Sequence, residues 1–361
     1  MKIAVVGATG AVGETILAVL EERGVPIAQL APFASRERSA AVRFRGDRLD
    51  VRAASDDALR GYDVVFFAGG EDASERYAPA LIERGSVVID NSSTFRMQQG
   101  VPLIVPEVNA DEMRPEHRLF PVANCTAILL CTALRPIRDA AGLKSVHVAT
   151  YQAASGAGRA GLEELEAGER AVVNGEAEPA PAVFPRRLAR NVVPQVGGFD
   201  DEGWSGEERK VREESQKMLG LADLEINVTS VRVPVRTAHS EAVFVQTQRA
   251  TTRADLATAF ESAPGIVFHP QGIVTPREVE GTDEVHVARL RALRQAPVLR
   301  QAPVLRQAQD DSRQAPVLRQ AQDDGGTEFA LWCVGDQLRK GAATNAVQIL
   351  ELLLQKGFLA A

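Results

Sequence analysis

The sequence predicts an α/β protein: an N-terminal Rossmann-like domain on a parallel sheet, then a second α+β domain with a mixed sheet. Three observations predict it. The chain opens on a short β-branched run, Ile3 to Val6, that passes through Gly7-Ala8-Thr9-Gly10-Ala11-Val12-Gly13 into a helical pattern ending near Glu22. Two later runs, Tyr62 to Ala68 and Ser86 to Asp90, are apolar at nearly every position, as strands covered on both faces of a parallel sheet are. Past Cys125 the pattern becomes alternating, in Lys144 to Gln152, Leu224 to Val233 and Glu241 to Ala250, which suits strands with one covered face.

Bulk properties narrow the class. A chain of 361 residues, 45% hydrophobic and 25% charged, is too long for one ordinary core and suits two domains. Its net charge of −7 disfavours non-specific nucleic-acid binding. The longest apolar runs fall far short of the roughly 20 residues a membrane span requires, so no membrane partner is expected. The amino terminus runs straight into the glycine loop with no small-residue cleavage site, so it reads as a strand and not as a signal peptide. Three cysteines without paired or metal-like spacing argue for a reducing, cytoplasmic location, against a disulfide framework and against a metal site.

Taken in order, the first elements bind a nucleotide. The spacing of Gly7, Gly10 and Gly13, with Thr9, Ala11 and Val12 between them, lets backbone approach a pyrophosphate at a helix N-terminus, where free N–H groups and the dipole favour anions. The second strand, Ile27 to Phe33, is not followed by the acidic residue an NAD ribose would need. Ser35, Arg36 and Ser39 follow instead, groups suited to a 2′-phosphate, so NADP is the expected cofactor. A helix from Ala73 to Arg84 separates the next two strands; Gly69-Gly70 and Asn91-Ser92-Ser93 close their carboxyl ends, the edge where doubly wound sheets bind ligands. Arg96, just beyond, is placed to clamp an anion.

The stretch Phe120 to Leu134 carries the chemical centre. Asn124 is a good N-cap and Cys125 lies in the first turn of an apolar helix, where unpaired N–H groups and the dipole favour thiolate over thiol. Cys131, on another helical face, and Cys333 read as core. A second glycine-rich loop, Ala153 to Gly161, reads as a backbone crossing, and Asn174 to Gly203 as a long connection. The charged helix Gly206 to Leu219 carries Glu207 and Lys210 on one face, and Pro234 to Ser240, with His239, joins two strands. His117, His147, His269 and His286 have no evident partners.

One segment is low-complexity. Q-A-P-V-L-R recurs at Gln295, Gln301 and Gln314, with a proline in each copy that breaks any long helix. Leu293 to Gly326 therefore reads as a flexible surface insertion between strands Val285 to Arg291 and Thr327 to Val334. The apolar helix ending at Gly357 packs back on the first sheet. The expected division is 1–125 plus 327–361 for the NADP-binding domain, 126–292 for the catalytic and dimerisation domain, and 293–326 for the insertion.

The ordered set of segments resembles the aspartate-β-semialdehyde dehydrogenase family. The pieces that carry it are Gly7 to Gly13, Ser35-Arg36 with Ser39, Asn91 to Arg96, Val101 to Asn109, Asn124-Cys125, Tyr151 to Gly158, Glu207 to Lys210, Arg232 to Ser240 and Arg339 to Gln348. The resemblance implies NADPH-dependent reductive dephosphorylation of L-aspartyl 4-phosphate, within lysine/diaminopimelate, threonine and methionine biosynthesis, by a homodimer. It implies Cys125 as nucleophile, His239 as acid/base and Gln152 as the residue that orients the acyl intermediate. Arg232 would then pair with the substrate carboxylate, Glu207 with its ammonium, and Arg96 with Lys210 would hold phosphate. Gly69, Gly70, Ser155, Gly156 and Asn345 join the cofactor contacts. The chain departs from the family at Ala123 and Ala127 beside Cys125, and at Ala238, where glycine usually precedes the histidine. A turn needing positive φ there would strain alanine. Rival readings are N-acetyl-γ-glutamyl-phosphate reductase, which the Glu207 carboxylate disfavours, and an NADP-binding regulatory protein without catalysis.

Overall fold

A computed structural model of the chain describes residues 1–34, 40–293 and 325–360. The first unit alternates strand and helix: β1 (Lys2–Val6), α1 (Ala11–Glu22), β2 (Gln29–Ala34), a small hairpin β3 (Ala41–Phe44) and β4 (Asp47–Asp50), β5 (Arg52–Ala53), β6 (Val64–Phe67), α2 (Glu71–Glu83), β7 (Val87–Asp90), α3 (Pro106–Asn109) and β8 (Leu119–Pro121). Six of these strands form a sheet in the order β5-β2-β1-β6-β7-β8, parallel throughout. Strand order reverses beside β1, so the ends of β1 and β6 open a crevice where the glycine loop sits. The uninterrupted apolar strands follow from cover on both faces. Ile3, Val5, Val64 and Phe66 join one buried cluster with α1, and Ala4, Val6, Val65 and Phe67 join another with α2.

The long helix α4 (Cys125–Ala141) leads into the second unit. There β9 (Ser145–Gln152), α5 (Gly158–Asn174), α6 (Gly206–Leu219), β10 (Glu225–Arg232), β11 (His239–Thr251), α7 (Arg253–Glu261), β12 (Ile266–His269), α8 (Pro276–Val279), β13 (Val285–Ala292) and β14 (Gly326–Gly335) follow, before α9 (Thr344–Gln355). The sheet order is β10-β9-β11-β14-β13-β12, with β10 and β12 parallel to their neighbours and the inner pairs antiparallel. The mixed sheet is as expected, but β10 and β11 are not partners. β9 lies between them, which puts the ends of β9, β10 and β11 side by side.

The expected domain boundary needs one correction. Residues 327–334 belong to β14, which pairs with β11 and β13 inside the second sheet, so the chain returns to the first unit only after Gly335. The physical reason is strand pairing: β14 is hydrogen-bonded antiparallel to both β11 and β13, which holds residues 327–334 inside the second sheet. Residues 294–324, which hold most of the low-complexity insertion, lie outside the described residues, as do Ser35, Arg36 and Ser39.

Helix α4 is the keel of the molecule. Ile128, Leu129, Leu130, Leu134 and Ile137 are fully buried between β11, β14, α6 and α7. At about 1.5–3 kcal/mol for each large apolar side chain removed from water, this burial holds the helix start in place. A π-helical turn, Arg339–Ala343, runs into α9, which packs against α1 and β7 as the sequence predicts.

Candidate active site

Asn124 caps α4 as expected: its side-chain oxygen accepts from the Ala127 N–H at 3.1 Å. The same residue is held from two other directions. Its backbone N–H donates to Glu214 Oε2 at 2.5 Å and its side-chain amide to Glu207 Oε1 at 2.9 Å. Cys125 thus sits at a helix start whose entry is pinned to α6, at the floor of a cavity of about 460 Å³. One side of that cavity is Ala11, Val12, Gly69 and Gly70; the other holds Arg96, Asn124, Cys125, Ser155, Gly156 and Lys210. Residues predicted to hold a nucleotide and residues predicted to do chemistry therefore share one crevice.

The glycine loop has the shape a pyrophosphate requires. Gly7 has φ +85°, and a Cβ on Gly13 would stand 2.2 Å from the Gly7 carbonyl oxygen, so the loop closes only without side chains there. The loop is anchored by the Gly7 and Ala8 N–H groups donating to Phe33 O at 2.8 and 3.1 Å. Gly10, the N-cap of α1, has no side chain to cap it, so the first-turn N–H groups at Ala11 and Val12 meet the cavity as an anion-binding end. Asn345 does not line the cavity; it is fully buried and donates to Ile104 O at 3.1 Å.

Behind Cys125, four predicted residues converge from strand ends and α6. Gln152, nearly fully buried, donates to Glu207 Oε1 at 2.9 Å and accepts from Thr150. Arg232 donates to Ala153 O at 2.6 Å. His239 is completely buried; its Nδ1 accepts from the Ala153 N–H at 3.1 Å, and its Nε2 has no partner among the described residues. Gly156 locks the three pieces together. A Cβ there would lie 2.8 Å from an Arg232 guanidinium nitrogen and 3.0 Å from both Cε1 and Nε2 of His239.

Charge placement is uneven. Glu207 and Arg232 attract each other, yet neither is in an ion pair among the described residues, and Lys210 has no ion partner there either. Arg96 was expected as a free anion clamp. It is instead bound at 3.1 Å to Glu214, a residue the sequence offered no signal for, while its Nε remains unpartnered and its side chain still faces the cavity. The expectation of a thiolate is also corrected. Burial, reinforced by the Glu207 carboxylate, pushes the Cys125 thiol up to about 12, against the opposite pulls of Arg96 and Arg232. The ligand-free site therefore holds a thiol. Burial, and then the Arg232 charge, push His239 well below the usual imidazole range, so the ring is neutral.

Other predicted features resolve simply. Cys131 and Cys333 are buried core, and all three cysteines are free. Ala238 does take positive φ, +70°, with its N–H donating to Gln337 Oε1 at 2.7 Å. His269 and His286, expected to be alone, stack and hydrogen-bond at 3.0 Å, and His117 accepts from the Arg114 N–H. Their partners lie on neighbouring strands or in a local turn, which composition does not reveal. The sequence also missed Gly341, whose added Cβ would be 2.8 Å from that of Cys125, and Lys340 beside it, a fully buried ammonium on Glu107 at 2.5 Å. Among the described residues no group of acidic, histidine or cysteine side chains could hold a metal ion, and no helix is long and apolar enough to cross a membrane.

A parallel sheet with a glycine turn, whose crevice also holds a helix-start cysteine and is backed at Gly156 by a buried histidine, defines a nucleotide-dependent dehydrogenase. Residues 2–115 match the family model "Semialdehyde dehydrogenase, NAD binding domain" and residues 134–300 match "Semialdehyde dehydrogenase, dimerisation domain". The aspartate-semialdehyde dehydrogenase of Aquifex aeolicus is 36% identical over 99% of both chains, and that of Bacillus subtilis is 36% identical over 98% of this chain and 97% of its own. The solved structure of aspartate semialdehyde dehydrogenase II from Vibrio cholerae, complexed with ASA, superposes with a TM-score of 0.84 at 34% identity, covering 98% of each chain. The Candida albicans enzyme solved with NADP shares the fold, with a TM-score of 0.70 at 19% identity. The chain belongs to the aspartate-semialdehyde dehydrogenase family.

Proposed function

We propose that the chain catalyses the NADPH-dependent reductive dephosphorylation of L-aspartyl 4-phosphate to L-aspartate 4-semialdehyde. This serves the biosynthesis of lysine/diaminopimelate, threonine and methionine, and the enzyme works as a cytoplasmic homodimer. The observation that carries the substrate assignment is the pair Glu207, half-buried, and Arg232, buried, which attract each other and have no ion-pair partner among the described residues. An α-amino acid supplies the missing charges: its carboxylate meets the Arg232 guanidinium and its ammonium meets Glu207. An N-acetylated substrate has no charge for Glu207, so the rival acyl-phosphate reductase fits less well. Arg96 and Lys210 on the cavity wall suit the phosphate. The three free cysteines support a reducing compartment.

The Cys125 sulfur attacks the acyl carbon, phosphate departs, and a thioester remains, held by Gln152. Bound NADPH supplies the hydride that reduces this thioester. His239 acts as the acid/base group for the tetrahedral species, and Cys125 is released when the aldehyde forms. The nucleotide fits the crevice by the glycine loop, the uncapped α1 N-terminus and Gly69-Gly70; the 2′-phosphate is assigned to Ser35, Arg36 and Ser39, outside the described residues. The deciding assay is phosphate-dependent NADP reduction with aspartate semialdehyde against N-acetylglutamate semialdehyde. Preference for the N-acetylated aldehyde would overturn the assignment, and equal efficiency with NAD would overturn the cofactor.

A further inference from the structure

Helix α6 brings one more charged group to the cavity than its two predicted residues. Glu214 stands seven residues after Glu207 and four after Lys210, so all three fall on one stripe of the helix, and Lys217 extends it. The stripe is fixed in register, because Ser205 and Glu208 form a capping box at the helix start and Glu208 also accepts from the Ser230 N–H of β10 at 2.9 Å. The Glu214 side chain is 2% exposed and divides its carboxylate between two donors. Oε1 takes the Arg96 Nη1 at 3.1 Å, and Oε2 takes the Asn124 N–H, one residue before Cys125, at 2.5 Å. Arg96 is held from two further sides: its Nη2 donates to Asn91 O at 3.1 Å, and its own carbonyl accepts from Lys217 Nζ at 2.6 Å. The Arg96 Nε has no partner among the described residues, and the residue lines the cavity together with Lys210.

On the reading of the site as an acyl-phosphate reductase, we infer that Glu214 is a positioning residue for the phosphate step: it aims the Arg96 guanidinium at the phosphate group and, through the Asn124 peptide, ties that aim to the Cys125 sulfur. One rigid carboxylate thereby sets the spacing between the attacking atom and the group that leaves. The inference rests on what each donor needs. A buried guanidinium is costly without a counter-charge; Glu214 supplies one while the site is empty and leaves other N–H groups of the fork for a second anion. Burial raises the Glu214 pKa above the ordinary carboxyl value even against the pull of Arg96, yet a donor at each oxygen is the arrangement a carboxylate satisfies and a carboxylic acid does not. A glutamine cannot replace it. Its one acceptor oxygen would serve the Asn124 N–H, and its NH₂ would then face the guanidinium and turn it away.

The test is Glu214→Gln, assayed as phosphate-dependent NADP reduction with aspartate semialdehyde. KM for phosphate should rise at least about tenfold, the worth of one charged hydrogen bond, while KM for the aldehyde and for NADP stays within about twofold. Arg96→Lys should also raise KM for phosphate, and adding Glu214→Gln to it should change that constant by less than about twofold, because the carboxylate acts through the guanidinium. Inorganic phosphate binding to the ligand-free enzyme, followed by its protection of Cys125 from iodoacetamide, should weaken in Glu214→Gln by the same factor and needs no turnover. A phosphate constant within twofold of wild type overturns the inference. So do three KM values that rise together, the mark of a merely structural carboxylate, and losses that multiply in the double variant. Should Glu214→Gln not fold, Glu214→Asp keeps the charge on a shorter stem; its phosphate constant should rise at least about threefold, and an unchanged one overturns the inference equally. Wild-type enzyme without phosphate-dependent reduction would instead sink the acyl-phosphate reading, and the protection of Cys125 by phosphate would still decide the part played by Glu214.

Discussion

The glycine loop and the cysteine cluster share one crevice but are encoded differently. The loop lies within Gly7 to Gly13, is built of backbone, and fails sterically if Gly13 gains a single carbon. The cluster is drawn from α4, α6, β9, β10, β11 and the π-helical turn, through hydrogen bonds between residues 55 to 182 apart in the chain. A site made of backbone can be read from spacing. A site made of distant side chains depends on every element that positions them, and its residues carry no local signature.

The largest expected effect separates the two regions. With Cys125 as the proposed nucleophile, Cys125→Ser exchanges a thiol for a far less nucleophilic hydroxyl, and kcat should fall by at least ~10³-fold. The glycine loop is untouched, so NADPH affinity measured by fluorescence should stay within about twofold. A matched loss of cofactor binding would mean that the two regions are not separable.

Next comes the strut between them. Lys340 is completely buried, bound to Glu107 at 2.5 Å and Gln348 at 2.7 Å, one residue before the Gly341 that presses on Cys125. Lys340→Met leaves a buried carboxylate without its cation and should cost about 3–5 kcal/mol in denaturant unfolding. The pH dependence has a definite sign. Burial raises the Glu107 pKa, but the Lys340 charge and hydrogen bond more than offset it, and the net shift is below the ordinary 4.5. A depressed carboxylate contributes stability that is present above its unfolded pKa and is lost as pH falls through the folded one. Wild-type stability should therefore drop as pH falls below that ordinary value of 4.5, and Lys340→Met should lack that component.

Paired glycine variants sharpen the contrast. Gly13→Ala strikes the loop and should raise KM for NADPH with little change in kcat. Gly156→Ala pushes on Arg232 and the reactive edge of His239 and should lower kcat by about 10–10²-fold, since displacements near 1 Å cost that much at a reacting centre. Identical kinetic signatures from the two would refute the division.

Legibility in the sequence followed the same line. The two-layer apolar strands, the glycine turn and the α6 helix, Gly206–Leu219, were readable because each depends on its own neighbours. The family's motif residues located Cys125, His239, Gln152, Glu207 and Arg232. What stayed hidden was pairing: Glu214 beneath Arg96, Ala153 fixing His239, Lys340 on Glu107, and β14 within the second sheet. Each is a contact between segments whose separation no periodicity records. The thiol of Cys125 shows the limit most clearly, since a helix start argues for thiolate and only the burial and Glu207 around it reverse the sign.

The smallest expected effect concerns Ala238, where the sequence raised an alarm. With φ at +70° an alanine is strained by roughly 1–2 kcal/mol, which glycine would relieve. Two terms oppose that gain. Glycine adds about 0.5–1 kcal/mol of unfolded-state entropy. The fully buried Ala238 methyl packs with Val274, Val279, Ala288 and Val334, and deleting it forfeits about 0.8 kcal/mol of burial. These nearly cancel, so Ala238→Gly should change unfolding free energy by less than about 1 kcal/mol. The Ala238 N–H already reaches Gln337 and the Ala153 N–H already reaches His239, so kcat should stay within about twofold. A tenfold rise in kcat would show instead that alanine holds the imidazole out of place, and that the strain at this turn is borne by the chemistry and not by the packing of Val274 and Val334.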